Sequence, residues 1–504
     1  MVSNAASAIS SIAGRREGAV PRVFSFPVLL AALLVAGVFV CARLNPADPD
    51  MWWHIAAGEE ILRTGVLPQF DPYSATAGGV RWIAYEWLGE VVLALASTAG
   101  LQGRAALLLA LATTFFLLLY YYAWLRSGCM KSAFLACVVC LPLAAVFFTL
   151  RPQLIGYLFL LATLVLLERF RQGRQHTLWL LPLVFLLWVN THGSFAFGLM
   201  AVGLYWASGW IGFDLGGIRG QKWTAQESRH LGLAFLLCVL VLPLTPYGTE
   251  VAAYPFEMAF LQGTNVASII EWQPLTPDLA LGKVFVALLL AFLVGVLAIR
   301  PRFRLEEIAL LCFAVYSASV HRRFLIVLLA VLVPLVAVLL ARLVPAYDPA
   351  KDRPALNAAG CLLILAGVGL GFPSEQTLTG VVERYYPVQA VAYLQENPAP
   401  EPMFNEYGWG GYLIWSKGRE ARVFIDGRAD LYDYTGVLAD YMSITLIKPD
   451  ALRLLDKYGL RSALVRRKDP VATLLSASPQ WRLIYADDLA AVFVRNSPAA
   501  KVTP

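Results

Sequence analysis

Eleven apolar runs, separated by short polar turns, decide what this chain can fold into. A helix rises 1.5 Å per residue, so about 20 apolar residues cross the hydrocarbon core of a bilayer. The chain is 59% hydrophobic and only 15% charged, whereas a soluble domain has about 25% charged residues. This composition excludes a soluble or disordered protein, and a net charge of only +6 argues against a nucleic-acid partner. We therefore predict an α-helical polytopic membrane protein with about 11 transmembrane helices, at 23–42, 104–125, 132–149, 153–169, 178–191, 194–213, 230–246, 282–299, 305–320, 323–341 and 356–372.

The distribution of basic residues predicts the orientation of these spans. Cytoplasmic loops of membrane proteins carry an excess of Lys and Arg. If segment 1–22 is cytoplasmic, the inner segments together hold 17 basic residues and the short outer turns hold three. The transmembrane domain is then 23–372, and its odd number of spans places the C-terminal segment 373–504 outside the cytoplasm.

The segment 373–504 differs in composition from the spans. Short strand-like runs at 422–425, 462–465, 483–486 and 490–494 alternate with helical patterns at 387–396, 433–446 and 449–458. The segment contains none of the seven cysteines, and no cluster of cysteines has zinc-site spacing. We predict a C-terminal extracytoplasmic α/β domain without disulfides.

The first outer loop, 44–103, carries five net negative charges and begins with Asp48-Pro49-Asp50. If the chain there is extended, both carboxylates lie on one side of it and share a divalent cation such as Mg²⁺ or Mn²⁺. Alternatively, one of them takes the proton of an attacking hydroxyl. The less specific interpretation is a solvated acidic turn. Patterns at 53–63 and 85–98 predict amphipathic helices lying on the membrane beneath the acidic residues.

Cationic side chains fall at the same predicted outer ends of the spans. A leaving phosphate needs cationic hydrogen-bond donors, and Arg donates two parallel hydrogen bonds to it. His exchanges protons near neutral pH. The alternative for each residue is snorkelling or helix capping. The predicted phosphate ligands are Arg151, His192, His321, Arg322 and Arg323.

A further set of residues pairs carboxylates or cations with aromatic rings. Sugar rings stack on aromatic side chains while carboxylates bind their hydroxyl groups. The alternatives are an interfacial Trp beside a solvated Glu and, in the tail, an internal pair of Asp426 with Arg428. The predicted sugar or acceptor contacts are Trp53, His54, Glu86, Glu271, Trp272 and Arg428.

The pattern Asp48-Pro49-Asp50-Met51-Trp52-Trp53-His54, followed by Asp71-Pro72-Tyr73-Ser74 and Glu86-Trp87-Leu88, resembles the GT-C superfamily of integral-membrane glycosyltransferases. It also resembles a group of bacterial membrane proteins of this type whose substrates are generally unassigned. The resemblance implies a polyprenyl-phosphate-linked sugar as donor, Asp48 or Asp50 as the catalytic base and any metal ligand, and a bacterial inner membrane location. The Trp-Trp-Asp-Tyr-Gly motif of oligosaccharyltransferases is absent, and the tail has Asn405-Glu406-Tyr407-Gly408 instead.

Three functions follow from these patterns. The first is an inverting glycosyltransferase that moves a sugar from a polyprenyl-phosphate carrier to a glycan, lipid or protein acceptor on the outer face. The second is a metal-independent enzyme similar to O-antigen ligases or polymerases, in which Arg and His matter and Asp48 does not. The third is a transporter, although ionisable groups here concentrate at the ends of the spans rather than at the membrane midplane.

Overall fold

A computed structural model describes residues 23–42, 44 and 46–496, and every predicted span coincides with a helical segment. The predicted cytoplasmic segment 1–22 lies outside the described residues. Among the described residues, five helices are long and apolar enough to cross a membrane: Gly100–Ser127, Pro152–Arg171, Ala280–Ile299, Arg322–Leu340 and Pro354–Gly371. The other six predicted spans contain helical segments of 16 residues or fewer, so the count of eleven crossings stays a prediction.

The structure describes further helices up to residue 372. Two of them, Asp50–Thr64 and Trp87–Ser97, lie in the first outer loop. The others are Phe26–Cys41, Met130–Ala145, Leu181–Val189 after a 3-10 turn at Gln175–Leu180, Phe195–Ser208, Ala225–Leu240, Glu250–Leu261, Gly263–Ser268 and Leu305–Val320. A small sheet is formed by three short strands, β1 (Phe213–Leu215), β2 (Ile218–Gly220) and β3 (Phe303–Arg304).

The helix Leu325–Leu340 forms the centre of the bundle. Nearly all of its side chains are buried, and it packs against Met130–Ala145, Gly100–Ser127 and Leu305–Val320. By contrast, Ala280–Ile299 and Pro354–Gly371 expose most of their apolar surface. Apolar surface on this scale is stable only against apolar surroundings, so these helices are the ones we expect to contact lipid.

Three ion pairs join helices at the predicted inner side: Arg126 with Glu307, Arg171 with Glu306 and Arg304 with Glu168. The three glutamate side chains are at most 4% exposed. A buried carboxylate is stable only when it is paired. These arginines therefore neutralise buried acids, in addition to any effect that they have on the orientation of the spans in the membrane.

The C-terminal domain combines helices with a four-stranded sheet. Its strands are β4 (Met403–Asn405), β5 (Ser462–Arg466), β6 (Trp481–Ala486) and β7 (Ala490–Arg495), in the order β4-β5-β7-β6. Only β4 and β5 are parallel. The helices are Glu375–Tyr385, Val388–Glu396, Tyr407–Lys417, Ala429–Tyr434, Val437–Thr445, Ala451–Lys457 and Pro470–Ala477.

One predicted strand is wrong. Residues 422–425 lie outside the sheet, and Val423 makes a single isolated bridge to Ser74 of the first outer loop. The edge position beside β5 is taken instead by Met403–Asn405, whose three residues are all buried. Residues 423–425 are apolar and buried against the outer loop and the core of the tail, which gives the same sequence pattern as a strand.

The Asp50–Thr64 helix is buried between two other helices, which contradicts the prediction that it lies on the membrane surface. Met51 to Gly58 are all buried, and the helix packs against Trp87–Ser97 on one side and Tyr407–Lys417 on the other. A Cβ on Gly58 would lie 2.1 Å from the carbonyl oxygen of Glu90, and one on Gly411 would lie 2.7 Å from that of Pro49. The tail is thus packed closely against the start of this helix.

Candidate functional site

Asp48 caps the Asp50–Thr64 helix and binds Arg151. Its Oδ1 accepts the backbone N–H of Asp50 at 2.9 Å, a donor that has no partner within the helix. Nε of Arg151 donates to Oδ1 at 2.9 Å and to Oδ2 at 2.8 Å. The side chain is 6% exposed. Asp48 is therefore arranged to position its neighbours rather than to contact a substrate.

Asp50 is the more accessible of the two predicted catalytic carboxylates. Its Oδ2 lies 2.8 Å from Nη1 of Arg151, and 19% of its side chain is exposed. Burial raises the pKa of Asp50 to about 7. Attraction to Arg151 lowers this pKa, but repulsion from Asp48 and Glu271 partly offsets that effect. A carboxylate with this pKa exchanges protons near neutral pH, which is the property required of a general base.

Arg151 lies among three carboxylates, whereas the sequence predicted it as a phosphate ligand. It precedes the Pro152–Arg171 helix, and its Nη1 also lies 3.1 Å from Oε1 of Glu271. Arg151 lowers the pKa of Glu271, whose side chain remains 37% exposed. These three acids and Arg151 form an arginine-carboxylate cluster with one cation for three carboxyl groups. Two of the guanidinium nitrogens of Arg151 are directed at acids, not at an incoming anion.

The predicted Mg²⁺ or Mn²⁺ site does not fit this arrangement. Asp48 and Asp50 already share one cation, the guanidinium of Arg151, and Asp48 also accepts backbone N–H groups. Among the residues that the structure describes, no group of three or more His, Cys, Asp and Glu side chains is placed to hold a metal ion. We therefore assign no step of the chemistry to a metal.

A second group of buried ionisable side chains lies next to the cluster. His54 places Nδ1 3.3 Å from Glu90 and Nε2 3.5 Å from Glu86, and Glu86 lies 3.2 Å from Nε2 of His192. Burial raises the pKa of Glu86 well above its usual range and that of Glu90 to about 8. It lowers the pKa of His54. Near neutral pH, burial therefore favours the uncharged form of each of these three groups.

His192 is held in one tautomer, which restricts the role predicted for it. Its Nδ1 accepts the backbone N–H of Ser194 at 2.9 Å, so the ring hydrogen is on Nε2, facing Glu86. Burial lowers the pKa of His192 to about 3. With Nδ1 occupied and protonation unfavourable, His192 donates a hydrogen bond but does not relay a proton.

Of the three cationic residues at 321–323, Arg323 has a buried guanidinium nitrogen without a hydrogen-bond partner. His321 Nδ1 lies 2.6 Å from the carbonyl oxygen of Trp272, and Arg322 donates to the carbonyl of Ile270. Arg323 lies over the Trp272 ring at 4.2 Å, and its buried Nε has no hydrogen-bond partner. Its charge opposes the increase in the pKa of Glu86. Arg323 thus has donors left for an anion beside the cluster.

The predicted sugar or acceptor contacts divide into accessible and buried residues. Glu271, which belongs to the arginine-carboxylate cluster, and the adjacent Trp272 are both half-buried. The rings of Trp53 and His54 lie 3.5 Å apart, and both side chains are buried, as is Glu86. In this structure Glu271 and Trp272 are therefore the accessible members of the set.

Arg428 forms an internal ion-pair network, which was the alternative interpretation of its sequence motif. Its guanidinium is 1% exposed and contacts Asp426 and Asp71, each at 2.6 Å. Tyr432 also donates to Asp426 at 2.6 Å. With its donors used within the protein, Arg428 joins the tail to the outer loop and is not available to an acceptor.

Three tail residues that the sequence did not single out as site residues lie near Asp50 or Glu86. A Cβ on Gly427 would lie 1.9 Å from Asp50 Oδ1, so only glycine fits there. Tyr407 Oη lies 3.3 Å from the carbonyl oxygen of Gly427. Asp430 is near enough to contribute to the raised pKa of Glu86. A glycine permits close approach of the backbone, but the sequence does not indicate which residue comes close to it.

Comparisons with known proteins give a fold-level likeness only. No family model and no curated protein matches the sequence. The structure is similar to the archaeal oligosaccharyltransferase AglB from Archaeoglobus fulgidus, solved in complex with an inhibitory peptide and a dolichol-phosphate. The two are 12% identical, with a TM-score of 0.48, and the match covers 86% of this chain and 69% of that one.

Proposed function

We propose that the chain is a membrane glycosyltransferase that moves a sugar from a polyprenyl-phosphate carrier to an acceptor hydroxyl on the outer face of a bacterial inner membrane. The observation that carries the proposal is Asp50, a partly exposed carboxylate whose pKa is about 7, in contact with Arg151 at the predicted outer ends of apolar helices. The N-terminus would lie in the cytoplasm and the tail outside.

In the proposed reaction, Asp50 accepts the proton of the acceptor hydroxyl. The oxygen then forms a bond to the anomeric carbon as the bond between that carbon and the carrier phosphate oxygen breaks. The electron pair of the broken bond remains on the phosphate, and a single displacement of this kind inverts the anomeric configuration.

Other residues of the site have supporting roles in this proposal. Asp48 and Arg151 fix the position of Asp50 through the contacts at 2.8 to 2.9 Å. Arg323, with its unpartnered Nε, binds the phosphate as its negative charge develops. Glu271 and Trp272 form the accessible edge where a sugar ring stacks and hydrogen bonds.

Deleting the gene tests the function directly. We expect mass spectrometry of the envelope glycans and glycolipids to show one product lacking a sugar, with its lipid-linked donor accumulating. Returning the intact gene should restore the product. If glycans and lipid-linked sugars were unchanged in the deletion strain, glycosyl transfer would be excluded.

The pH dependence of the reaction should follow the ionisation of Asp50. Its pKa is raised to about 7, so the carboxylate is mostly protonated, and inactive as a base, below that pH. We expect the transfer rate to rise by roughly 50-fold between pH 5 and 7 and then level off. The measurement uses membranes supplied with the donor that accumulates in the deletion strain. A rate that is constant over this range would contradict Asp50 as the base.

A further inference from the structure

A cleft between the first outer loop and the tail is large enough for a small ligand. It has a volume of about 470 Å³ and includes Glu60, Ser74, Gly78, Gly79, Arg419 and Arg422 in its lining. Ligand sites of proteins typically occupy about 300 to 1,000 Å³. The outer loop and the tail each contribute lining residues, so the cleft exists only when the two are docked.

The acidic residues of the cleft are already paired with arginines. Glu60 binds both Arg63 and Arg419. Burial acts to raise the pKa of Glu60, but hydrogen bonds from the two arginines lower it, so this carboxylate is ionised and paired. Asp71 is buried and pairs with Arg428, which it shares with Asp426. The formal charge is +1 over the whole group, which comprises Glu60, Asp71, Asp426, Arg63, Arg419, Arg422 and Arg428.

Arg422 brings a positive charge that no acid balances. Its Nη1 donates to three carbonyl oxygens, those of Pro72 at 3.4 Å, Arg419 at 3.0 Å and Ala421 at 2.6 Å. Among the described residues it has no carboxylate within ion-pair distance. Arg422 is exposed, and the Arg419 side chain is 65% exposed. The cleft therefore has a surplus of positive charge that faces solvent.

The lining favours a saccharide as the carrier of the complementary anion. Gly78 and Gly79 are exposed and present backbone without side chains, which lets a ring approach closely. The lining mixes charged side chains and Ser74 with Pro72 and Tyr73, and a sugar likewise has both hydroxyl groups and apolar C–H faces. We propose that this cleft binds an acidic sugar residue of the acceptor, with Arg422 and Arg419 holding its carboxylate or phosphate.

This inference rests on the proposed function for its connection to Asp50. Glu60 lies on the same helix as Asp50, ten residues further along, which is about 15 Å at 1.5 Å per residue. An extended glycan acceptor with its reacting hydroxyl at Asp50 would place a more distant residue at the cleft. Binding energy from such a remote group supports positioning at the reacting centre.

The test measures binding by the purified full-length chain in detergent, using isothermal titration calorimetry. The probe is trigalacturonate, with maltotriose as the neutral sugar, and a pentaaspartate peptide and inorganic phosphate as anions without a sugar. We expect trigalacturonate to bind more tightly than the other three. We expect Arg422→Gln to weaken it by about tenfold or more, which is about 1.4 kcal/mol. Arg482→Gln, which changes an exposed arginine outside the cleft, should have no effect.

Several results would overturn the inference. They are no binding of trigalacturonate, equal binding of maltotriose, equal binding of the peptide or of phosphate, or no effect of Arg422→Gln. The titration contains no lipid-linked donor, so it measures binding alone. Binding is thus measured independently of transfer, so failure of this inference and failure of the proposed function can be told apart.

Discussion

Replacement of Asp50 by Asn should reduce sugar transfer by about 10²- to 10⁴-fold, the usual effect of losing a general base. Asn has nearly the same size and shape as Asp but takes up no proton near neutral pH. Because burial raises the pKa of Asp50, the fold does not favour its charged form. We therefore expect the variant to be as abundant in the membrane as the parent chain.

The measurement is complementation of the deletion strain, with glycan mass spectrometry and quantitative immunoblotting. Asp488→Asn is the matched control, because Asp488 is an exposed carboxylate in the turn between β6 and β7. It should restore the glycan fully. A normal glycan made by Asp50→Asn at normal abundance would exclude Asp50 as the base.

Replacement of Arg151 by Gln should have the largest effect on stability. It leaves Asp48, Asp50 and Glu271 next to one another without their shared cation. Removing one partner of a buried ion pair typically costs about 3 to 5 kcal/mol. We expect a lower midpoint of thermal unfolding in detergent and less protein in the membrane.

The pH dependence of this loss identifies its cause. Without Arg151 the three carboxylates repel one another, which raises their pKa values, so at low pH they take up protons and the repulsion falls. The loss of stability should therefore be larger at pH 8 than at pH 5. Arg174→Gln, at an exposed position in a predicted inner loop, is the control. Equal losses at both pH values would argue against repulsion, as would a stability equal to that of the parent chain.

Arg151 and Arg428 illustrate how far a sequence motif identifies a site residue. Both were singled out as cations for a ligand, but in the structure their main partners are carboxylates of the protein itself. An arginine that binds a ligand and one that neutralises a buried acid have the same sequence signature. The difference depends on which acids lie nearby, and these are distant in sequence: 103 residues separate Asp48 from Arg151.

The outer-loop helices show a similar limit. Their positions followed from the sequence pattern, since Asp50–Thr64 and Trp87–Ser97 overlap the predicted helices closely. Their surroundings did not, because a helix that rests on lipid and one that is covered by another domain are both apolar. Gly411 and Gly427 allow the tail to cover the start of the Asp50–Thr64 helix, and one-dimensional periodicity contains no information on such a contact.

The sequence by itself determined the apolar helices, the helical character of each predicted span, the separate composition of the tail and the pair Asp48 and Asp50 as candidate bases. These depend on local hydrophobicity and on residue type, which are properties of neighbouring positions. The tertiary structure alone decided that Arg151 binds three acids, that His192 is fixed as a donor and that Gly427 lies against Asp50. Each of these depends on contacts between residues far apart in the chain, and the charge and pKa of a buried group are set by those contacts.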